Sequence, residues 1–126
     1  EDLTVCLGVN DNIYDAAKGS HRFEANYEAG LIGRLPEAGP RWMERSPITR
    51  VDRVKAPMLI FHGREDKVVP VQQAIDFADA IQRRGGSVEL VIFEDEGHSF
   101  RREANLRQVY EKMEQFLEKY VISRQR

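Results

Sequence analysis

One cysteine, Cys6, is the only thiol in the 126 residues. A single thiol excludes an intrachain disulfide and suits a reducing cytoplasm, the location expected for the chain. An excess of either charge is also missing, since 19 basic side chains face 21 acidic ones for a net charge of −2. Neither nucleic acid nor an anionic membrane surface is therefore expected as a partner. No apolar run approaches the length of a membrane span, and no secretory leader is visible. His21, His62, His98 and Cys6 stand at no metal-ligand spacing. Neither Gly30-x-x-Gly33 nor Gly85-Gly86 follows a strand and opens a helix, as a phosphate loop does, so no metal or cofactor is expected. The most informative absence is of a nucleophile elbow. Ser20, Ser46, Ser87, Ser99 and Ser123 all lack the Gly-x-Ser-x-Gly setting.

With 41% hydrophobic and 32% charged residues, the composition is that of a globular domain with a modest core. Leu3–Val9 is short, β-branched and apolar, and predicts a strand buried on both faces, ending in the turn-prone Asn10-Asp11-Asn12. The polar stretch Ile13–Val54 predicts a helical excursion over one face of a sheet. Short helices are expected at Phe23–Ala29 and Pro40–Arg45, with breaks at Gly30, Gly33, Pro36, Gly39 and Pro47 and with Trp42 turned into the core. Met58–His62 is the clearest strand. From Pro70 a helix to about Arg84 carries Ala74, Ile75, Phe77, Ala78 and Ile81 at helical spacing, stopped by Gly85-Gly86. Val88–Phe93 predicts another strand. A last helix, from about Arg102 to Val121, carries Leu106, Val109, Tyr110, Met113, Phe116, Leu117 and Tyr120 as one apolar stripe.

The expected fold is therefore α/β, a parallel sheet of about three strands covered by helices. In such a sheet the loops after Met58–His62 and Val88–Phe93 open on one carboxyl edge, where ligand sites form. Each apolar run there ends in a glycine-containing turn followed by a titratable group, Asp66 in one and His98 in the other. A serine hydroxyl needs a histidine to take its proton, and the histidine needs a carboxylate to hold its tautomer. Acid before histidine is also the α/β-hydrolase chain order. Asp66 and His98 are thus the candidate catalytic residues. Taken singly, Asp66 reads equally as a loop acid near a helix N-terminus, and His98 as a surface histidine. His62, at the end of a buried strand, reads as a hydrogen-bonded structural residue that could line the site floor. The pair Arg101-Arg102 reads as a solvated face beside His98.

His62–Pro70 (H-G-R-E-D-K-V-V-P) and Phe93–Phe100 (F-E-D-E-G-H-S-F) resemble the acid and histidine motifs of the prolyl oligopeptidase family in its broad sense. Glu44-Arg45-Ser46-Pro47-Ile48, followed by Val51-Asp52, is similar to the segment that leads into the acid-bearing strand there. Gly8-Val9-Asn10-Asp11 is similar to the G-V-x-D that closes the strand after the nucleophile helix. The resemblance implies the C-terminal part of an α/β-hydrolase catalytic domain over residues 1–126, with Asp66 as triad acid and His98 as triad base. It implies a serine peptidase whose substrate is a peptide. The chain begins at Glu1 and lacks the nucleophile-bearing half, so it is expected to be inactive alone. Its expected partners are the remainder of its own domain or a second copy, joined through the Leu3–Val9 edge. An esterase resembling dienelactone hydrolase is the alternative within the fold. A non-catalytic interaction module is the alternative outside enzymology.

Overall fold

The computed structural model describes residues 27–123, so the strand expected at Leu3–Val9, with Cys6 and His21, lies outside the described residues. Along the described chain run α1 (Tyr27–Ile32), α2 (Gly39–Arg45), two 3-10 turns across Pro47–Arg53, β1 (Met58–Gly63), α3 (Val71–Arg83), β2 (Val88–Phe93) and α4 (Glu103–Leu117). A π-helical turn, Glu118–Ile122, follows α4. The order after Val54 is β-α-β-α, as the periodicity of the apolar residues demands.

The two strands pair in parallel, Met58 opposite Val88 through to Gly63 opposite Phe93. Helix α3 supplies the crossover. It begins directly after Pro70, whose ring fixes its own φ at −58°, and it turns Ala74, Ala78 and Ile81 inward. Ala74 and Ala78 pack with Ile60, flanked by Phe77, Val88 and Leu90. Small residues at those two positions let the helix approach the strands closely. The helix stops where Gly85 takes φ +80°, and the N–H groups of Gly85 and Gly86 donate back to the carbonyls of Gln82 and Ile81 at 2.9 Å each. This paired termination is the expected function of the two glycines.

The excursion before β1 differs from the reading of its sequence in two ways. Helix α1 runs through Gly30 to Ile32, so Gly30 does not break it and the turn falls at Gly33, with φ +114°. Beyond α2 the chain does not stay irregular at Pro47 but winds into 3-10 turns. Their start is held by one side chain: the Thr49 hydroxyl lies 2.7 Å from the Met43 carbonyl and 2.8 Å from that of Ser46, with its one hydrogen shared between them. Trp42 is buried, as expected, and its indole N–H donates to the Gly33 carbonyl at 2.8 Å, tying α2 to the end of α1.

Helix α4 also departs from expectation. Leu106, Val109, Met113, Phe116 and Leu117 are half-buried, but Tyr110 is 68% exposed and lies off the stripe. Each residue advances about 100° around the axis, so Tyr110 stands about 100° from Val109 and about 60° from Met113, at the margin of the stripe, where it is left to solvent. Regular α-helix ends at Leu117 rather than Val121. The wider turn that follows carries the Tyr120 ring to 4.8 Å from Phe116 and its hydroxyl to 3.0 Å from that of Ser87. Lys112 of α4 pairs with Glu89 on β2. No described helix is long and apolar enough to cross a membrane.

Candidate active site

Because β1 and β2 are parallel and end in register, the loops that follow Gly63 and Phe93 leave the sheet side by side. They are joined immediately. The Arg64 N–H donates to the Phe93 carbonyl and the Glu65 N–H to the Glu96 carbonyl, each at 2.9 Å. An ideal Cβ on Gly63 would lie 2.6 Å from the Glu96 carbonyl carbon and nearer still to the carbonyl oxygens of Glu96 and Gly97. Only glycine admits this approach. At Gly97 a Cβ would meet nothing nearer than the Glu65 oxygen at 3.7 Å. The need for space therefore falls on Gly63 and not on Gly97.

The juxtaposition brings Asp66 and His98, 32 positions apart, into contact: His98 Nδ1 lies 3.0 Å from Asp66 Oδ2. The other carboxylate oxygen, Oδ1, accepts from the N–H groups of Val68 (2.9 Å) and Val69 (2.8 Å), which fixes the rotation of the group. Asp66's side chain is only 5% exposed, whereas that of His98 is 57% exposed. Burial pushes the Asp66 carboxyl up, but hydrogen bonds from the Val69 N–H, from His98 and from the Val68 N–H outweigh it and hold it below the ordinary carboxylate value. Ionised, Asp66 can only accept, so His98 Nδ1 carries the hydrogen and the neutral ring presents its lone pair at Nε2.

Buried His62 sits beneath this pair. Its Nε2 lies 2.9 Å from the Val69 carbonyl, closing the acid loop onto the strand end, and 3.4 Å from Asp66 Oδ2. His62, Asp66, Val69, His98 and Phe100 line a pocket of about 110 Å³, with Gly63 and Gly97 at its wall. A wider cleft of about 410 Å³ lies elsewhere, among Arg34, Glu37 and Arg41. A two-bonded pair, Arg64 to Glu94 at 2.9 Å for each contact, spans the two loops. That pair raises the arginine's pKa and lowers the glutamate's.

Two residues near His98 have roles that the sequence did not reveal. Glu96 is 4% exposed, and its carboxylate accepts from the backbone N–H groups of Arg101 (3.1 Å) and Arg102 (2.8 Å) and from the Asn105 amide (3.0 Å). The Asn105 amide, ahead of the N–H groups of Arg102 and Arg101, holds the Glu96 carboxyl below its ordinary value against the contrary effect of desolvation. A carboxylate placed a few residues before a helix start was the clue available. Arg102 lies on the solvated face expected for it, with its side chain 62% exposed, and pairs there with Asp95 at 2.8 Å. Ser46 is excluded as a nucleophile in this arrangement, because its hydroxyl is buried and donates to the Trp42 carbonyl at 2.8 Å. No group of three or more His, Cys, Asp or Glu among the described residues could hold a metal ion.

Known proteins share this fold. Dipeptidyl aminopeptidase BIII of Pseudoxanthomonas mexicana is 41% identical over 70 residues, which is 55% of this chain and 10% of that enzyme. The chain thus spans about a tenth of the length of such a curated relative. Among solved structures, a puromycin-hydrolyzing peptidase of Mycobacterium tuberculosis superposes with a TM-score of 0.67 at 38% identity, over 71% of this chain and 14% of that one. Pyrococcus horikoshii acylaminoacyl peptidase gives 0.73 at 25% identity, over 86% of this chain and 18% of that one. These neighbours are α/β-hydrolases, and the parallel pair with its helices is a portion of that fold. The family model for the prolyl oligopeptidase family matches residues 6–124, nearly the whole chain, and the chain therefore belongs to that family of serine peptidases.

Proposed function

We propose that this chain supplies the acid and the base of a Ser-Asp-His triad in a serine peptidase, Asp66 as the acid and His98 as the base. The observation that carries the reading is the 3.0 Å contact of His98 Nδ1 with an Asp66 carboxylate already fixed by two backbone N–H groups. Held this way, the imidazole offers Nε2 to a serine hydroxyl, takes its proton as the oxygen attacks a carbonyl, and returns it to the leaving amine. Asp66 keeps the ring in that tautomer and stabilises the imidazolium that forms. His98, the more exposed of the pair, is the member that can meet a substrate and a nucleophile. The serine and the oxyanion donors lie outside the 126 residues in this reading, so the isolated chain has no triad chemistry. The substrate class is a peptide or a related amide or ester.

The test is covalent labelling of the full-length gene product with a fluorophosphonate probe. Labelling should fall on a serine upstream of Glu1, vanish in His98→Ala, and slow by about 10⁴-fold in Asp66→Asn, the scale on which a wrong imidazole tautomer acts. Undiminished labelling of His98→Ala would refute the assignment.

A further inference from the structure

We propose that Glu96 is the positioning residue for His98, closing the 96–102 segment into a ring that holds the imidazole against Asp66. The inference rests on the reading of Asp66 and His98 as the triad pair. His98 itself is poorly anchored. More than half of its side chain is exposed, and among the described residues its imidazole hydrogen-bonds to Asp66 alone. What fixes the ring must therefore act through its backbone.

Glu96 meets that backbone from both sides. Its main chain faces the acid loop, with its carbonyl accepting from the Glu65 N–H at 2.9 Å. Its side chain reaches past His98 to the far end of the segment, where Oε1 takes the N–H groups of Arg101 and Arg102 and the Asn105 amide, while Oε2 shares the Arg101 N–H. No side chain caps α4 locally, so this distant carboxylate serves the helix start. Phe100 adds a second closure, its ring 5.1 Å from that of buried Phe93 in an edge-to-face arrangement. His98 is thus the exposed tip of a loop whose two ends are tied, one to the acid strand and the other to the helix. Removing the Glu96 carboxylate takes the partner from the Arg101 and Arg102 N–H groups, while the Asn105 amide keeps Asp95 at 2.9 Å, and frees the loop to move by the fraction of an ångström that separates a hydrogen bond from none.

The experiment measures fluorophosphonate labelling of the full-length gene product over a concentration series, resolved into the maximal rate kinact and the half-saturating concentration KI. Urea midpoints are taken for each variant. Glu96→Ala should lower kinact by about tenfold to hundredfold, the scale of a small misplacement of a catalytic group, with KI unchanged. Glu96→Gln keeps an oxygen where Oε1 stands and should recover most of kinact. If Glu96 served only the fold, Glu96→Ala would lower the urea midpoint while the folded protein kept its wild-type kinact, which overturns the proposal. Where Glu96→Ala does not accumulate folded, Glu96→Asp decides, since it keeps the charge but withdraws it by one methylene. A kinact reduced tenfold or more in Glu96→Asp supports the proposal, and a wild-type value overturns it. His98→Ala separates this inference from the one beneath it. Full labelling there removes the triad reading itself, while abolished labelling beside a wild-type Glu96→Ala removes only the role of Glu96.

Discussion

Replacing Gly63 by alanine adds one methyl group at the junction of the two loops and puts the whole arrangement to the test. The new Cβ would lie 2.6 Å from the carbonyl carbon of Glu96, where ordinary contact begins at 3.4 Å. The obstructing atoms are backbone, so no side-chain rotation relieves the clash. The Glu96–Gly97 segment must retreat by about 1 Å, at a cost of about 1–3 kcal/mol as for other overpacked sites. His98 follows Gly97 directly, so the same retreat stretches its 3.0 Å contact with Asp66 to about 4 Å, beyond hydrogen-bonding range. Urea unfolding of the full-length gene product should show the lost stability as a lower midpoint at unchanged slope. Fluorophosphonate labelling should slow by about 100-fold. Gly97→Ala is the matched control, because its Cβ meets only one atom, at 3.7 Å, and φ there is not positive. It should change the unfolding free energy by less than about 0.5 kcal/mol. A Gly63→Ala protein with wild-type midpoint and labelling, or a Gly97→Ala protein as damaged as Gly63→Ala, would refute the argument that the loops are held at contact distance.

Other consequences follow from burial and charge. Ile81 is fully buried on α3, and Ile81→Ala should destabilise by about 2–5 kcal/mol in equilibrium denaturation; a loss below 1 kcal/mol would mean that α3 is not packed as described. Asp66 and Glu96 titrate below their ordinary values of 3.8 and 4.5, so the unfolded chain takes up protons before the folded one does. Their contribution is complete above those values and is lost as pH falls through the depressed folded values. Asp66→Asn should therefore flatten the acid limb of a stability–pH curve, and an unchanged limb would contradict the hydrogen bonding assigned to this carboxylate. The 126-residue chain alone, whose described sheet has only two strands, should self-associate. Sedimentation as a concentration-independent monomer would exclude that.

The βαβ unit was legible because each of its boundaries has a local physical cause. Val88–Phe93 falls where the apolar run begins and ends, and α3 is bracketed by Pro70, which fixes its own φ, and by Gly85, which takes the left-handed conformation. The convergence of Asp66 and His98 was legible too, since parallel strands must deliver both loops to one edge. What escaped was whatever depends on tertiary geometry. Nothing in E-D-E-G-H-S-F shows that the first glutamate of that run reaches across to Arg64 while the second turns inward to the start of α4. Nor does the motif show that the crowding lies at Gly63 rather than Gly97, because that is decided by the register of the other strand. Tyr110 misled for the opposite reason: its residue type fits a buried stripe, and the narrow surface that the two described strands present beneath α4 leaves it outside.

Trp42, the only tryptophan in the chain, gives α2 an optical reporter of its own. Its buried indole, held by the Gly33 carbonyl, belongs to the excursion before the sheet and not to the βαβ unit that carries Asp66 and His98. Emission excited selectively at tryptophan therefore follows the docking of α2 alone, while far-ultraviolet dichroism is dominated by α3 and α4. If the two signals diverge during unfolding of the 126-residue chain, the excursion and the site-bearing core are separate cooperative units. If they coincide, what shapes one end of the segment is thermodynamically coupled to what positions the imidazole at the other.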